Sequence, residues 1–81
     1  MNIYGVIDPT TGTAEFYETF DAAFEAAEAI VKDDETEEGA EVKIFRQDEN
    51  GDVDDWKRTL VKNDTKDGYS EYGTRGELLW A

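Results

Sequence analysis

Apolar and polar positions in the first twenty residues fall into two short runs. The run NIYGVID is apolar at nearly every position, which is typical of a strand covered on both faces. In the run TAEFYETF, Ala14 and Phe16 share one face, and Glu15 and Tyr17 share the other. Asp8 and Pro9 suit the first two positions of a type I turn, and Gly12 tolerates a positive φ. The pattern predicts a β-hairpin.

The next segment repeats its apolar residues at spacings of three and four, which predicts an amphipathic helix. Thr19 suits the N-cap, and Asp21 in the first turn complements the helix dipole. The predicted apolar stripe consists of Phe20, Ala23, Phe24, Ala27, Ile30 and Val31. The predicted solvated face carries Asp21, Glu25, Glu28 and Lys32. We expect the helix to fray into the acidic segment that Gly39 ends.

Strand patterns dominate the second half of the chain. In EVKIFRQ, Val42 and Ile44 point one way while Lys43 and Phe45 point the other. The dipeptide NG at positions 50–51 predicts a hairpin, with a returning strand from position 53 to 62. The dipeptide DG at 67–68 predicts another turn. The segments YSEY and ELLWA supply one or two further short strands.

The order of elements, β-β-α-β-β-β, predicts a single α+β domain over residues 1–81. Its economical form is an antiparallel sheet of four to five strands with one amphipathic helix packed on one face. Strand residues of the other parity then face solvent or a partner. A chain of 81 residues is near the lower size limit for one hydrophobic core.

Charge is the most unusual property of the composition. The chain has 21 acids and 8 bases, a net charge of −13, and it lacks both cysteine and histidine. Without these residues there is no cysteine-based metal site and no common general base. We therefore expect a non-enzymatic protein without a cofactor or metal. Phosphates repel such a chain, so we expect no direct contact with nucleic acid or membrane, a cytoplasmic location and basic protein partners.

The acids are unevenly distributed, since residues 1–40 hold 11 acids and one base. Regularly spaced carboxylates can stand in for a row of phosphates in the groove of a basic nucleic-acid-binding protein. The residues predicted to form this acidic face are Asp21, Glu25, Glu28, Asp33, Asp34, Glu35, Glu37, Glu38, Asp48, Glu49, Asp52, Asp54 and Asp55.

Two other motifs have simpler explanations. Asp48, Asn50 and Asp52 match the first ligands of an EF-hand loop, but Val53 and Thr59 stand where glycine and a bidentate glutamate are required. We therefore interpret this stretch as a hairpin turn. Most of the aromatic residues are expected in the core. The expected exposed anchors at a protein interface are Trp56, Tyr72 and Trp80.

In size, acidity and lack of cysteine and histidine, and in the helix TFDAAFEAAEAI after a strand, the chain resembles small acidic proteins of bacteriophages and mobile elements. Some of those proteins inhibit host DNA-processing or defence proteins by mimicking nucleic acid, as certain anti-CRISPR, anti-restriction and uracil-glycosylase-inhibitor proteins do. The resemblance implies an inhibitor of a basic host protein, and it carries over no site residues.

Two interpretations from other classes remain open. The acids can serve solubility alone in a small accessory or structural domain, including as an adaptation to a salt-rich cytoplasm. Alternatively, an apolar patch at Trp56, Tyr72 and Trp80 can join copies of the chain in a homodimer.

Overall fold

The structure, a computed structural model, describes residues 3–80, and for residue 80 the backbone alone. Its elements are β1 (Ile3–Ile7), β2 (Ala14–Tyr17), α1 (Phe20–Lys32), β3 (Glu41–Gln47), β4 (Val53–Lys62), β5 (Tyr69–Tyr72) and β6 (Leu78–Trp80). The strands form one antiparallel sheet in the order β2-β1-β3-β4-β5-β6. The α+β class and the element order are confirmed. The sheet has six strands rather than four to five, because both C-terminal segments pair.

The helix begins as its sequence predicts. Thr19 is the N-cap, and its side-chain hydroxyl accepts a hydrogen bond from the backbone N–H of Ala22 at 3.2 Å. The fully buried helix residues are Ala23, Ala27 and Val31, which belong to the predicted apolar stripe. Two of these three are alanines, so the helix backbone can lie close to the sheet. The other stripe residues pack half-buried around the core.

The acidic segment after the helix is a hydrogen-bonded loop rather than a frayed helix end. The helix stops at Lys32 with Asp33 as the C-cap. The Thr36 side chain is buried, and its hydroxyl donates to the carbonyl of Ile30 at 2.7 Å. The Asp33 carboxylate accepts from the N–H of Glu35 at 2.8 Å. These bonds tie the loop back to the last helical turn.

The hydrophobic core lies between the helix and one face of the sheet. Strands contribute alternate residues, so buried Val42 and Ile44 point to the helix while Lys43 is exposed on the opposite face. The core cluster comprises Val6, Ala23, Ala27, Val31, Val42, Ile44, Leu60 and Tyr69. The expected cover on both faces of β1 is incomplete, since Ile3 remains 39% exposed.

The helix runs antiparallel to β3. Its first residue, Phe20, contacts Tyr4 and Trp56 near the Gln47 end of β3, with ring centroids 6.0 and 5.4 Å apart. At the other end, the Asp33 carbonyl accepts a hydrogen bond from the Lys62 ammonium, beside the start of β3. The helix therefore spans the length of β3, from the hairpin-tip end to the start of the strand.

Replacing Thr19 by alanine should lower the free energy of unfolding by about 1 kcal/mol, because the N–H of Ala22 loses its acceptor. Thr19→Asp should retain most of the stability. Its carboxylate can also accept a hydrogen bond from the first turn, and its negative charge interacts favourably with the positive end of the helix dipole. Urea denaturation followed by circular dichroism measures both changes. Equal losses in the two variants would show that the cap contributes nothing.

Candidate functional site

The solvated face of the helix presents three acids along its length. Asp21 and Glu25 are exposed, Glu28 is half-buried, and their spacings of four and three residues place them on neighbouring turns. At about 1.5 Å of rise per residue, they lie about 5 Å apart along the axis. One DNA strand carries a charge about every 3.4 Å. The helix alone is therefore sparser in charge than a DNA strand, and the neighbouring loops must supply the rest.

The loop after the helix supplies the next acids at the C-terminal end of α1. The Asp33 carboxylate is engaged in its own turn, whereas Asp34, Glu35, Glu37 and Glu38 are exposed. Within residues 3–80 the structure gives these four carboxylates no hydrogen bond or ion pair. Thr36 ties the backbone of this loop to the last turn of the helix, so the four acids extend from an ordered backbone.

The β3–β4 hairpin tip supplies acids at the other end of the helix. Asp48 is turned inward, where its carboxylate accepts from the N–H groups of Asn50 and Asp52 at 2.9 and 3.0 Å. Gly51 closes the turn with a φ of 84°. Asp48 is thus a turn-forming residue, while the carboxylate of Asp52 stays outside these bonds. Among the described residues no group of three potential ligands is placed to hold a metal ion.

Asp54 lies in β4, and its carboxylate has partners within the sheet, so it does not add an unpaired charge to the hairpin tip. Its carboxylate accepts from Nε of Arg46 at 2.7 Å and from the N–H of Trp56 at 2.9 Å. The hydrogen bond from Arg46, assisted by the one from Trp56, holds the pKa of Asp54 below its usual range. Of the predicted acidic face, Asp54 is therefore already neutralised within the chain.

Two arginines stack on the indole of Trp56. The guanidinium carbons of Arg46 and Arg58 lie 5.5 and 5.1 Å from the ring centroid, and Arg58 also pairs with Glu71 at 3.3 Å. The ring makes edge contacts with Tyr4 and Phe20. The expected exposure of Trp56 is therefore wrong. Its side chain is half-buried because it fills the helix side of the sheet.

Lys32 and Lys62, at the C-terminal end of the helix, also have partners. Lys32 lies 3.8 Å from the Glu28 carboxylate and 5.6 Å from the ring centroid of Tyr69. Lys62 donates to the carbonyl of Asp33. The positive charges of Lys32 and Lys62, like those of Arg46 and Arg58, thus have partners within the chain.

The phenol of Tyr69 ties the middle of the helix to β5. Its hydroxyl donates to the Glu28 carboxylate at 2.6 Å. Burial and this hydrogen bond, in that order, raise the pKa of Tyr69 above its usual range. Glu28 therefore has a structural role in addition to its place in the row of helix acids.

The other predicted anchors have a mixed outcome. Tyr72 is half-buried on the sheet face opposite the helix, and the side chain of Trp80 lies outside the described residues. Sequence reasoning missed Phe16, which is 53% exposed on that same face. The alternation of Phe16 with Ala14 in β2 predicts that the two side chains share a face. It does not predict that no other element covers that face. Any anchoring role for these aromatics stays a prediction.

We use the term acidic layer for the outer face of α1 (Asp21, Glu25, Glu28), the loop 33–40 and the hairpin tip 48–52. The two loops lie at opposite ends of β3, about 20 Å apart for seven strand residues. The helix lies between them. The predicted acids of α1 and of the two loops therefore follow one another along the direction of β3 rather than forming one compact cluster, whereas Asp54 and Asp55 lie in β4. Asp55, which follows the tip in β4, is exposed.

Comparison of the chain with known protein families, curated proteins and solved structures found no match. Within residues 3–80, α1 is too short and too polar to cross a membrane.

Replacing Tyr69 by phenylalanine should lower the free energy of unfolding by about 1–2 kcal/mol near neutral pH, because the charge-assisted hydrogen bond to Glu28 is lost. The pKa of Tyr69 is raised in the folded state. Its contribution is therefore complete below pH ~10, where the unfolded phenol titrates, and declines as pH rises further. The stability difference between wild type and variant should shrink above that pH.

Urea denaturation at a series of pH values measures this difference. Tyr72→Phe is the matched control, since the structure gives the Tyr72 hydroxyl no hydrogen bond among the described residues. A Tyr72→Phe loss as large as that of Tyr69→Phe would contradict the assignment.

Proposed function

We propose that the protein is a non-enzymatic inhibitor of the phage type, acting in the cytoplasm of a host cell. Its acidic layer docks into the basic nucleic-acid-binding groove of another protein. The observation that carries the proposal is the position of the helix acids between two acidic loops, on a side where four bases have internal partners: Lys32, Arg46, Arg58 and Lys62.

The physical basis is substitution of carboxylates for phosphates. A groove that binds nucleic acid gains free energy when lysine and arginine displace condensed counterions from phosphates. Carboxylates held at defined positions attract the same side chains and raise the rate of encounter. The hydrogen-bonded loop after the helix supports this role, because acids on an ordered backbone lose less entropy on docking.

A rival function from another class is an accessory or structural domain whose acids only keep it soluble, including in a salt-rich cytoplasm. In that case the acids need no particular arrangement and no partner. Reversing the charge of Glu25 would then affect binding to a basic protein no more than reversing the charge of an acid elsewhere on the surface. A cooperative thermal melt in dilute buffer would weigh against adaptation to high salt.

A competition experiment tests the proposal. The immobilised protein should retain a basic protein from a bacterial lysate, and short duplex DNA should release it while an uncharged polymer does not. Retention should fall steeply as salt rises. Partners that remain bound in excess duplex DNA would contradict mimicry.

Charge reversal identifies the surface involved. Glu25→Lys should weaken binding of the released partner by about tenfold, because it places a cation within the acidic layer. Asp64→Lys is the matched control. It makes the same charge change at an exposed residue of the β4–β5 loop, outside the acidic layer. Equal effects of the two variants would indicate attraction to net charge alone. Titration calorimetry or surface plasmon resonance measures both affinities.

A further inference from the structure

The sheet face opposite the helix, which we call the open face, has no cover from α1. Apolar side chains remain exposed there, including Phe16 at 53% and Val53 at 59%. Phe45 packs edge-on against Phe16, with ring centroids 5.9 Å apart. Its ring also covers Gly5, where an added Cβ would lie 2.3 Å from the ring. The face is thus a shaped apolar surface.

The strand registers order this face into rows that run across the sheet. One row contains Ala14, Ile7, Lys43, Thr59, Tyr72 and Leu78. A neighbouring row contains Phe16, Gly5, Phe45 and Lys57. On the other side lies a row of Glu41, Val61 and Ser70. A further row contains Ile3, Gln47 and Val53.

The open face is far less acidic than the chain as a whole. Its paired positions include two lysines, Lys43 and Lys57, and one acid, Glu41, and exposed Asp55 lies on the same face of β4 as Lys57. The chain itself has a net charge of −13. Two copies can therefore approach through their open faces without bringing their acidic layers together. A strongly basic partner, in contrast, is attracted to the opposite side.

We propose that the open face binds the open face of a second copy, forming a homodimer with the helices outside. The twofold axis lies between the two sheets, parallel to the strands and level with the gap between β3 and β4. It places each row opposite the same row of the second copy, with the strands in reverse order, so that β3 faces β4 and β1 faces β5. Ile7 then lies opposite Tyr72 of the second copy, and Phe45 lies opposite its Lys57. Lys43 similarly faces Thr59, and Glu41 faces Val61. No charge meets a like charge within these rows.

The available area agrees with a dimer of ordinary size. The two larger dimensions of the molecule are 38 and 25 Å. A face of this extent can supply on the order of 800 Å² per copy, which is about what a stable interface buries on each side. This inference concerns the open face and does not depend on the proposed function of the acidic layer.

Sedimentation velocity over a range of concentrations should give a mass approaching twice the 9.2 kDa of the chain. Lys57→Glu should weaken dimerisation by roughly a hundredfold, because it places a carboxylate against Phe45 of the second copy in a buried interface. Lys66→Glu is the matched control, with the same charge change in the exposed β4–β5 loop. Circular dichroism checks that both variants fold.

Crosslinking tests the arrangement itself, since the chain contains no cysteine. The variant with Ile7→Cys and Tyr72→Cys should form covalent dimers with a short bismaleimide reagent. These positions lie opposite each other between copies but three strand spacings apart, about 14 Å, within one chain. A variant with Ile7→Cys and Lys66→Cys should crosslink at least tenfold less.

Salt separates this interface from binding by the acidic layer. Two copies of charge −13 repel, so the dimer should tighten as salt screens the repulsion, whereas docking of the acidic layer should weaken. A monomer at all concentrations up to about 1 mM in 0.5 M salt would overturn the proposal. So would equal dimerisation of Lys57→Glu and Lys66→Glu, which would place any association elsewhere.

Discussion

The packing of one helix on one face of the sheet is the constraint on which the rest of the structure depends. Ala23, Ala27 and Val31 are buried against the sheet, and two of these three side chains are single methyl groups. The helix backbone can therefore approach the strands closely. The six-stranded sheet has one helix, which covers one of its faces. On the other face the strand side chains have no helix packed over them.

The same packing separates charge from apolar surface. The helix carries its acids outward, and the loops at its two ends add theirs. On the helix side, Arg46 and Arg58 are held against Trp56 and pair with acids of the sheet, so they do not offset the outer charge. The open face keeps Lys43, Lys57 and exposed phenylalanine. The molecule thus has two surfaces that differ in charge and in the kind of partner they suit.

Much of the fold could be predicted from the sequence, because local patterns there have single physical solutions. The helix is predicted by the spacing of its apolar stripe and by the cap at Thr19. Two turns between strands are predicted by glycines that can adopt a positive φ, at positions 51 and 68. The candidate site could be predicted in composition only. Asp48 and Asp54 look like free acids in sequence, yet Asp48 is hydrogen-bonded within its own turn and Asp54 is paired with the cationic side chain of Arg46.

The sequence by itself determined the element order, the amphipathic helix and an excess of acids in the first half of the chain. Only the tertiary structure decided which acids share a surface, since that depends on the helix lying antiparallel to β3 between two loops distant in sequence. It also decided that Trp56 is covered and Phe16 is not. Trp56 and Phe16 both lie in strands whose side chains point alternately to the two faces, so the sequence pattern does not distinguish them. Their burial differs because the helix covers only the face to which Trp56 points.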